Sequence, residues 1–423
     1  MTYDTIIIGA GAAGLAAARK LSDAQQSVLV LEARDRIGGR IWTDYDFAEF
    51  PMEYGAEFIH GEHAATHELV QAAQFHTNSA PRKAQLRWGS KTRATAVADL
   101  PPALRNTIEK LWAAYRHLPT RAYLTNDESL GNYLYRQGFT ADEIAMADVL
   151  LAQTCCAPIN RLSCADLVRE MAVDHAGLEE FRIVEGYGAL LEEYSKGLRI
   201  ECNAPIQSIH WSQEGVELVS NEKTYQARRC ISTVPVSVLQ AGHITFYPAL
   251  SVSKQAAISA FRTEAATKLL YRFAEPLWDE ELVYMMHTGI AARWWTPGYP
   301  RPDAAVIACY VTAERAIAVD AMHEEEALTL GLEELAELLG RSDVQAACIA
   351  AKRIAWAKDP YALGGYAYIP TGAAAARPIL AQPEGNVLFF AGEATAHNTN
   401  PQTVHGALES GWRAAGEVLA VGQ

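Results

Sequence analysis

A chain of 423 residues has room for two or three domains of about 150 residues each, with large buried cores. Its composition, 50% hydrophobic, 20% charged and 9% aromatic, excludes a disordered or fibrous polymer. The formal charge of −14 repels phosphate backbones and speaks against a nucleic-acid partner, whereas an acidic field can draw a cationic small molecule toward a cleft.

Seven cysteines, none in a C-x-x-C pair, suggest neither a disulfide framework nor a cysteine metal site, and so a reducing compartment. The longest uncharged run, Thr5 to Ala18, is shorter than the roughly 20 apolar residues that span a bilayer. Asp4 stands where a signal peptide would carry its basic residues. The expectation is a cytoplasmic protein with no membrane span and no metal.

In chain order, Thr5 to Ile8 is a β-branched run of the kind buried in a parallel sheet, followed by Gly9-Ala-Gly11-Ala-Ala-Gly14 and an Ala/Leu-rich helix to Leu21. Val28 to Leu31 is a second buried strand, so residues 5–32 form one βαβ unit ending on Glu32. Residues 62–182 read as a mostly helical insertion, with helices over Leu104 to Leu118, Ala141 to Ala152 and Cys164 to Ala172. Short strands then return at Ile206 to Trp211, Val216 to Ser220 and Cys230 to Thr233. A second sheet is expected from Lys268 to Phe273, Ala305 to Val311 and Ile349 to Trp356, with a helix over Glu324 to Leu339. A strand at Asn386 to Ala391 and a helix at Val404 to Leu419 close the chain. The resulting division assigns 1–61, 183–246 and 381–423 to a nucleotide-binding domain, 62–182 to a helical part of a substrate domain and 247–380 to its sheet.

Gly9, Gly11 and Gly14 have the spacing that lets a backbone approach a pyrophosphate at a helix N-terminus. Ala12 and Ala13 lie inside that motif, and Glu32 is placed to accept from ribose hydroxyls. Ala33-Arg34-Asp-Arg36-Ile-Gly38-Gly39-Arg40 follows, supplying two more glycines for close approach and guanidiniums able to fork onto phosphate.

These motifs resemble those of the flavin-dependent amine oxidases, and the likeness continues at Gly55-Ala56-Glu57-Phe-Ile59-His60-Gly61, Thr233-Val234-Pro235, Lys268, Trp356, Gly365-Tyr366, Gly392-Glu393 and Thr403-Val404-His405-Gly406. The resemblance implies a mixed α/β fold: a Rossmann-type FAD-binding domain interleaved with a substrate domain of mixed sheet and helical insertion. It further implies that Glu32 binds the adenosine ribose, Arg40 the pyrophosphate, Ile206 the adenine through its backbone, and Glu393 the ribityl or phosphate region. Val404 would approach the isoalloxazine. Gly365 stands where members with attached flavin carry a cysteine, so the FAD is expected to be non-covalent.

By the same resemblance, Lys268 holds a water near flavin N5, although a lysine opening an apolar strand could instead snorkel to the surface. Tyr366 matches one wall of an aromatic sandwich whose other wall is here Thr403, a departure from monoamine oxidases that is similar to polyamine and spermine oxidases. His60 is placed to orient the substrate amine or accept its proton, and Glu57 either meets a distal ammonium or is a surface acid. Trp294 and Trp295 are core residues or lining of an elongated channel. Cys155 and Cys156 read as buried residues at a helix end. The implied activity is oxidation of spermidine or spermine next to nitrogen, with oxygen or another acceptor reoxidising the flavin. An L-amino-acid or monoamine oxidase is the rival, the former needing an arginine such as Arg82, Arg87 or Arg293 for the carboxylate.

Overall fold

The computed structural model describes residues 2–82, 85–89, 93–118, 126–221, 223–301 and 303–421. Two large sheets organise them. The first runs in the order Ile200–Glu201, Val28–Leu31, Thr2–Ile8, Lys223–Ser232, Gly215–Ser220, Ser208–Ser212 and Thr245–Tyr247, with Leu388–Phe390 also paired to Lys223–Ser232. Its centre is parallel, Ile7 lying beside Val30 on one side and Ile231 on the other, and those residues are buried on both faces as a parallel sheet requires. Helix Ala12–Asp23 packs against the last helix, Val404–Val421. Their backbones meet so closely that a Cβ on Gly411 would lie 2.2 Å from the carbonyl oxygen of Ala13.

The second sheet has the order Cys348–Ala355, Ala266–Phe273, Val306–Thr312, Arg293–Trp295, Tyr284–Met286, Leu86–Trp88 and Thr95–Ala96. Leu269, Tyr271, Cys309 and Trp294 point to one face, where they pack with Leu332 and Leu335 of helix Glu324–Leu339. The register sets Lys268 and Arg293 each opposite Tyr310, and Trp295 opposite Tyr284 and Ala308. Residues directly opposite share a face, so the other face carries Lys268, Tyr310, Arg293 and Trp295 together.

The expected helices form at Pro102–Arg116, Ala141–Leu150, Cys164–Val173 and Glu324–Leu339. Stretch 62–182 is nonetheless less uniformly helical than its composition implies. Leu86–Trp88 and Thr95–Ala96 extend the second sheet, and Glu180–Ile183 joins Ile59–His60 and Thr77–Ser79 in a separate three-stranded sheet. These strands are too short for a period of two to register, and only pairing with distant partners defines them. Among the described residues no helix is long and apolar enough to cross a membrane.

Candidate active site

At the first sheet the chain turns sharply from strand Thr2–Ile8 into its helix. Gly9 has φ of +99°, and a Cβ on Gly14 would sit 1.9 Å from the Gly9 carbonyl oxygen, so only glycine permits this approach. Glu32 is buried, with one oxygen accepting from the Ala10 amide at 2.8 Å and the other from the Arg34 amide at 2.9 Å. Thr233 donates its hydroxyl to the Ile8 carbonyl at 2.7 Å, tying the neighbouring strand to the turn.

The arginines after Glu32 divide their tasks in a way the motif alone does not reveal. Arg34 forks onto Asp359, with Nη2 2.5 Å from Oδ1, and Arg36 donates to the carbonyls of Ile37, Gly39 and Ile41. Both guanidiniums therefore shape the loop instead of standing free for phosphate. Arg40 donates to the Gly365 carbonyl at 2.6 Å and to Glu393 Oε1 at 3.0 Å. Glu393 Oε2 is buried with no partner among the described residues.

On the second sheet Lys268, 3% exposed, is buried and does not snorkel. It donates to the Glu53 carbonyl at 2.7 Å and to Glu57 Oε2 at 3.0 Å. Glu57 also receives Arg182 Nε at 2.8 Å and the indole N–H of Trp295 at 2.9 Å. Burial pushes this carboxyl upward, but Lys268 and Arg182 outweigh it and hold it below the usual carboxylate range. Glu57 is thus neither a surface acid nor open to a distal ammonium: its oxygens are committed to the protein's own cations, and it anchors Lys268. Trp294 and Trp295 part company, Trp294 packing in the core and Trp295 facing the cavity.

His60 Nδ1 lies 3.1 Å from Glu180 Oε1, its cross-strand neighbour. Glu180 also receives both Nε and Nη2 of Arg82, at 2.8 and 2.5 Å, and although burial pushes its carboxyl up, Arg82 and His60 bring it well below the usual range. The Arg82 guanidinium in turn lies 3.8 Å from the centre of the Phe58 ring. Tyr366 donates to the Thr154 carbonyl at 2.8 Å, and burial raises its hydroxyl above the normal tyrosine range. Thr403 accepts from the Gly406 amide at 3.0 Å and so caps the last helix. His405, 2% exposed, is held neutral: burial, helped by His60 and His175, lowers it to about 3.

Of the candidate residues named from the sequence for cofactor, catalysis and substrate, all but Gly14, Arg36, Arg87 and Trp294 line one cavity of about 1270 Å³, which also takes in Tyr310. That volume exceeds the 300–1,000 Å³ typical of one small ligand. Glu180, Arg182 and Tyr310 escaped the sequence reading: the Arg82–Glu180 and Arg182–Glu57 pairings cross 98 and 125 residues, the register of neighbouring strands alone sets Tyr310 opposite Lys268 and Arg293, and no local motif marks any of them. The lining also includes Trp112, Tyr115, Leu167 and Glu170, from helices Pro102–Arg116 and Cys164–Val173. The Glu170 carboxyl makes no ion pair or hydrogen bond with a described residue, and burial, with Asp166 adding, raises it to about 7.

The sequence matches the family model of the flavin containing amine oxidoreductases over residues 12–419. The chain belongs to that family. FAD is its cofactor, and the residues fit it: the glycine turn admits a pyrophosphate at the helix start, Glu32 presents carboxylate oxygens at the strand end, and the unpaired Glu393 Oε2 awaits a donor. Among curated relatives this member is 27% identical to human lysine-specific histone demethylase 2, over 98% of this chain and 53% of that protein. It is also 27% identical to polyamine oxidase 4 of Oryza sativa subsp. japonica, over 97% and 88% respectively. The chain therefore spans about half the length of the histone demethylase and most of the plant oxidase. In fold it resembles putrescine oxidase bound to putrescine, with a TM-score of 0.86 at 21% identity over 99% of both chains. Cyclohexylamine oxidase from Brevibacterium oxydans gives the same TM-score and identity over 100% of both.

Proposed function

We propose that this amine oxidoreductase oxidises a polyamine, spermidine or spermine, at a carbon next to nitrogen. The observation that carries this reading is one cavity whose lining joins the dinucleotide turn, Lys268 and Tyr366 with the aromatic and acidic helix residues Trp112, Tyr115 and Glu170. FAD, when bound, supplies the hydride acceptor; the oxidised amine leaves as an imine, and water splits that imine into an aminoaldehyde and a shorter amine. The two electrons then pass to oxygen or another acceptor.

The chain's own part is to bring the reacting nitrogen in neutral and keep the rest of the substrate charged. The apolar walls of Trp295, Tyr310 and Tyr366 disfavour an ammonium beside them, and the surrounding cations Lys268, Arg82 and Arg293 act in the same direction. His60, oriented by Glu180 and lining the cavity, is the group for receiving the proton released as the amine becomes neutral. Lys268, fixed by Glu57 and the Glu53 carbonyl, is the group for holding a water against the reacting centre.

An L-amino acid would need an open guanidinium. Arg87 is paired with Asp279 and is not among the cavity-lining residues, and Arg82 is committed to Glu180. Arg293 is held by the Tyr284 hydroxyl at 2.7 Å but keeps one unpartnered nitrogen among the described residues, so it is the arginine that rival would use. Mass analysis of products from spermidine tests the proposal: an aminoaldehyde with a shorter amine is expected, and no product from spermidine or spermine beside turnover of an L-amino acid would replace the reading. Seven free thiols support a reducing, cytoplasmic setting.

A further inference from the structure

Resting on the polyamine reading, we infer that Glu170 is the residue that receives the substrate's distal ammonium and so makes this enzyme select diamines and polyamines over simple amines. Helix Cys164–Val173 carries it into the cavity wall. The other acids there are engaged or exposed. Glu32, Glu57, Glu180 and Glu393 each accept from the protein, Asp174 caps the Ala176 amide, and Glu179 is exposed. Among the described residues Glu170 alone is a partly buried, cavity-lining carboxyl with no donor of its own.

Arg169 and Arg377 act on it electrostatically, but neither is paired with it. The nearest guanidiniums, Arg169 and Arg377, both turn to Asp166, at 2.9 and 3.3 Å. Trp112 and Tyr115 line the same cavity, Tyr115 within electrostatic reach of Glu170, and aromatic rings attract a cation. A carboxyl in such a place is costly to ionise alone and gains most when a charged donor arrives; burial, with Asp166 adding, accordingly holds it up to about 7.

The placement relative to the chemistry also fits. Tyr366 gives its hydroxyl to the Thr154 carbonyl, and the next residue, Cys155, lies within electrostatic reach of Glu170. Glu170, Cys155 and Tyr366 all line the one cavity. A flexible chain with its neutral amine at Tyr366 would set its second nitrogen against this carboxylate.

The test compares flavin reduction of the holoenzyme by diamines of three to eight methylenes, by alkylamines of matched length and by spermidine, in wild type, Glu170→Gln and Glu170→Asp. Replacing the carboxylate with an amide should lower kcat/KM for diamines and spermidine about ten to a hundredfold, the value of a charge-assisted hydrogen bond, mostly through KM. Alkylamines should change less than about threefold, since they bring no second charge to that site. Glu170→Asp, one methylene shorter, should retain diamine preference and move the optimum toward a longer substrate. A loss shared equally by diamines and alkylamines, or no loss in either, overturns the inference while leaving polyamine oxidation standing. A wild-type flavin that neither diamines nor polyamines reduce overturns the polyamine reading itself.

Discussion

Replacing Glu57 by glutamine tests the buried charge network directly. Glu57, Arg182 and Lys268 are 6%, 8% and 3% exposed, and the carboxylate takes an ammonium at 3.0 Å, a guanidinium at 2.8 Å and an indole N–H at 2.9 Å. An amide offers a single acceptor oxygen and turns its NH2 against one of the two cations. Breaking a buried pair by removing one partner costs about 3–5 kcal/mol, because the other charge stays buried and uncompensated. The exposed pair Lys196 and Glu193 serves as control, and Lys196→Ala should cost under about 1 kcal/mol. Urea unfolding of the holoenzymes, followed by flavin and tryptophan fluorescence, reads both. In the double variant with Lys268→Met, the losses should fall short of additive by about 1 kcal/mol or more, since each removal relieves the other. Additive losses, or a Glu57→Gln cost no larger than the surface control, would refute the assignment of Glu57 as the counter-ion of Lys268.

Other outcomes follow from single features. Gly14→Ala places a Cβ 1.9 Å from the Gly9 carbonyl oxygen, so the purified variant should lack flavin absorbance, and full FAD content would contradict the role of that turn. His405 is neutral when folded, lowered to about 3 by burial, against about 6.5 unfolded. Its stabilising contribution is present above pH 6.5 and is lost at up to about 1.4 kcal/mol per unit as pH falls toward 3. The difference in stability between wild type and His405→Gln should therefore shrink with acidification; comparing the two cancels the opposite slopes of Glu53 and Glu170, both raised to about 7 by burial. Tyr366→Phe gives up one hydrogen bond to the Thr154 carbonyl, for about 1 kcal/mol of stability, and keeps the ring wall. Its flavin should still be reduced by spermidine.

The nucleotide-binding end was largely legible in the chain because its geometry is local. A turn that tolerates only glycine, an acid at the end of the next strand and buried β-branched runs all declare themselves within residues 5–32. The amine-binding end was legible only in part. Lys268 stood out as a charge in an apolar strand, but the partners that fix it, Glu57 and Arg182, come from distant segments. The same distance hid the difference between Trp294 and Trp295: neighbours in a strand face opposite ways, and only the pairing with Tyr284 and Cys309 decides which ring meets the cavity. Arg34 and Arg36 misled for the converse reason. Their position beside a phosphate motif suggested phosphate, whereas Asp359, far along the chain, and nearby carbonyls take them.

The visible spectrum of the purified protein, mixed anaerobically with spermidine, spermine, an acetylated spermine, a monoamine and two L-amino acids in parallel, tests the central claim most directly. The account predicts a flavin band promptly bleached by spermidine or spermine. Bleaching by the monoamine or an amino acid alone would contradict it, leaving the FAD fold intact and the reading of His60 and Glu170 wrong.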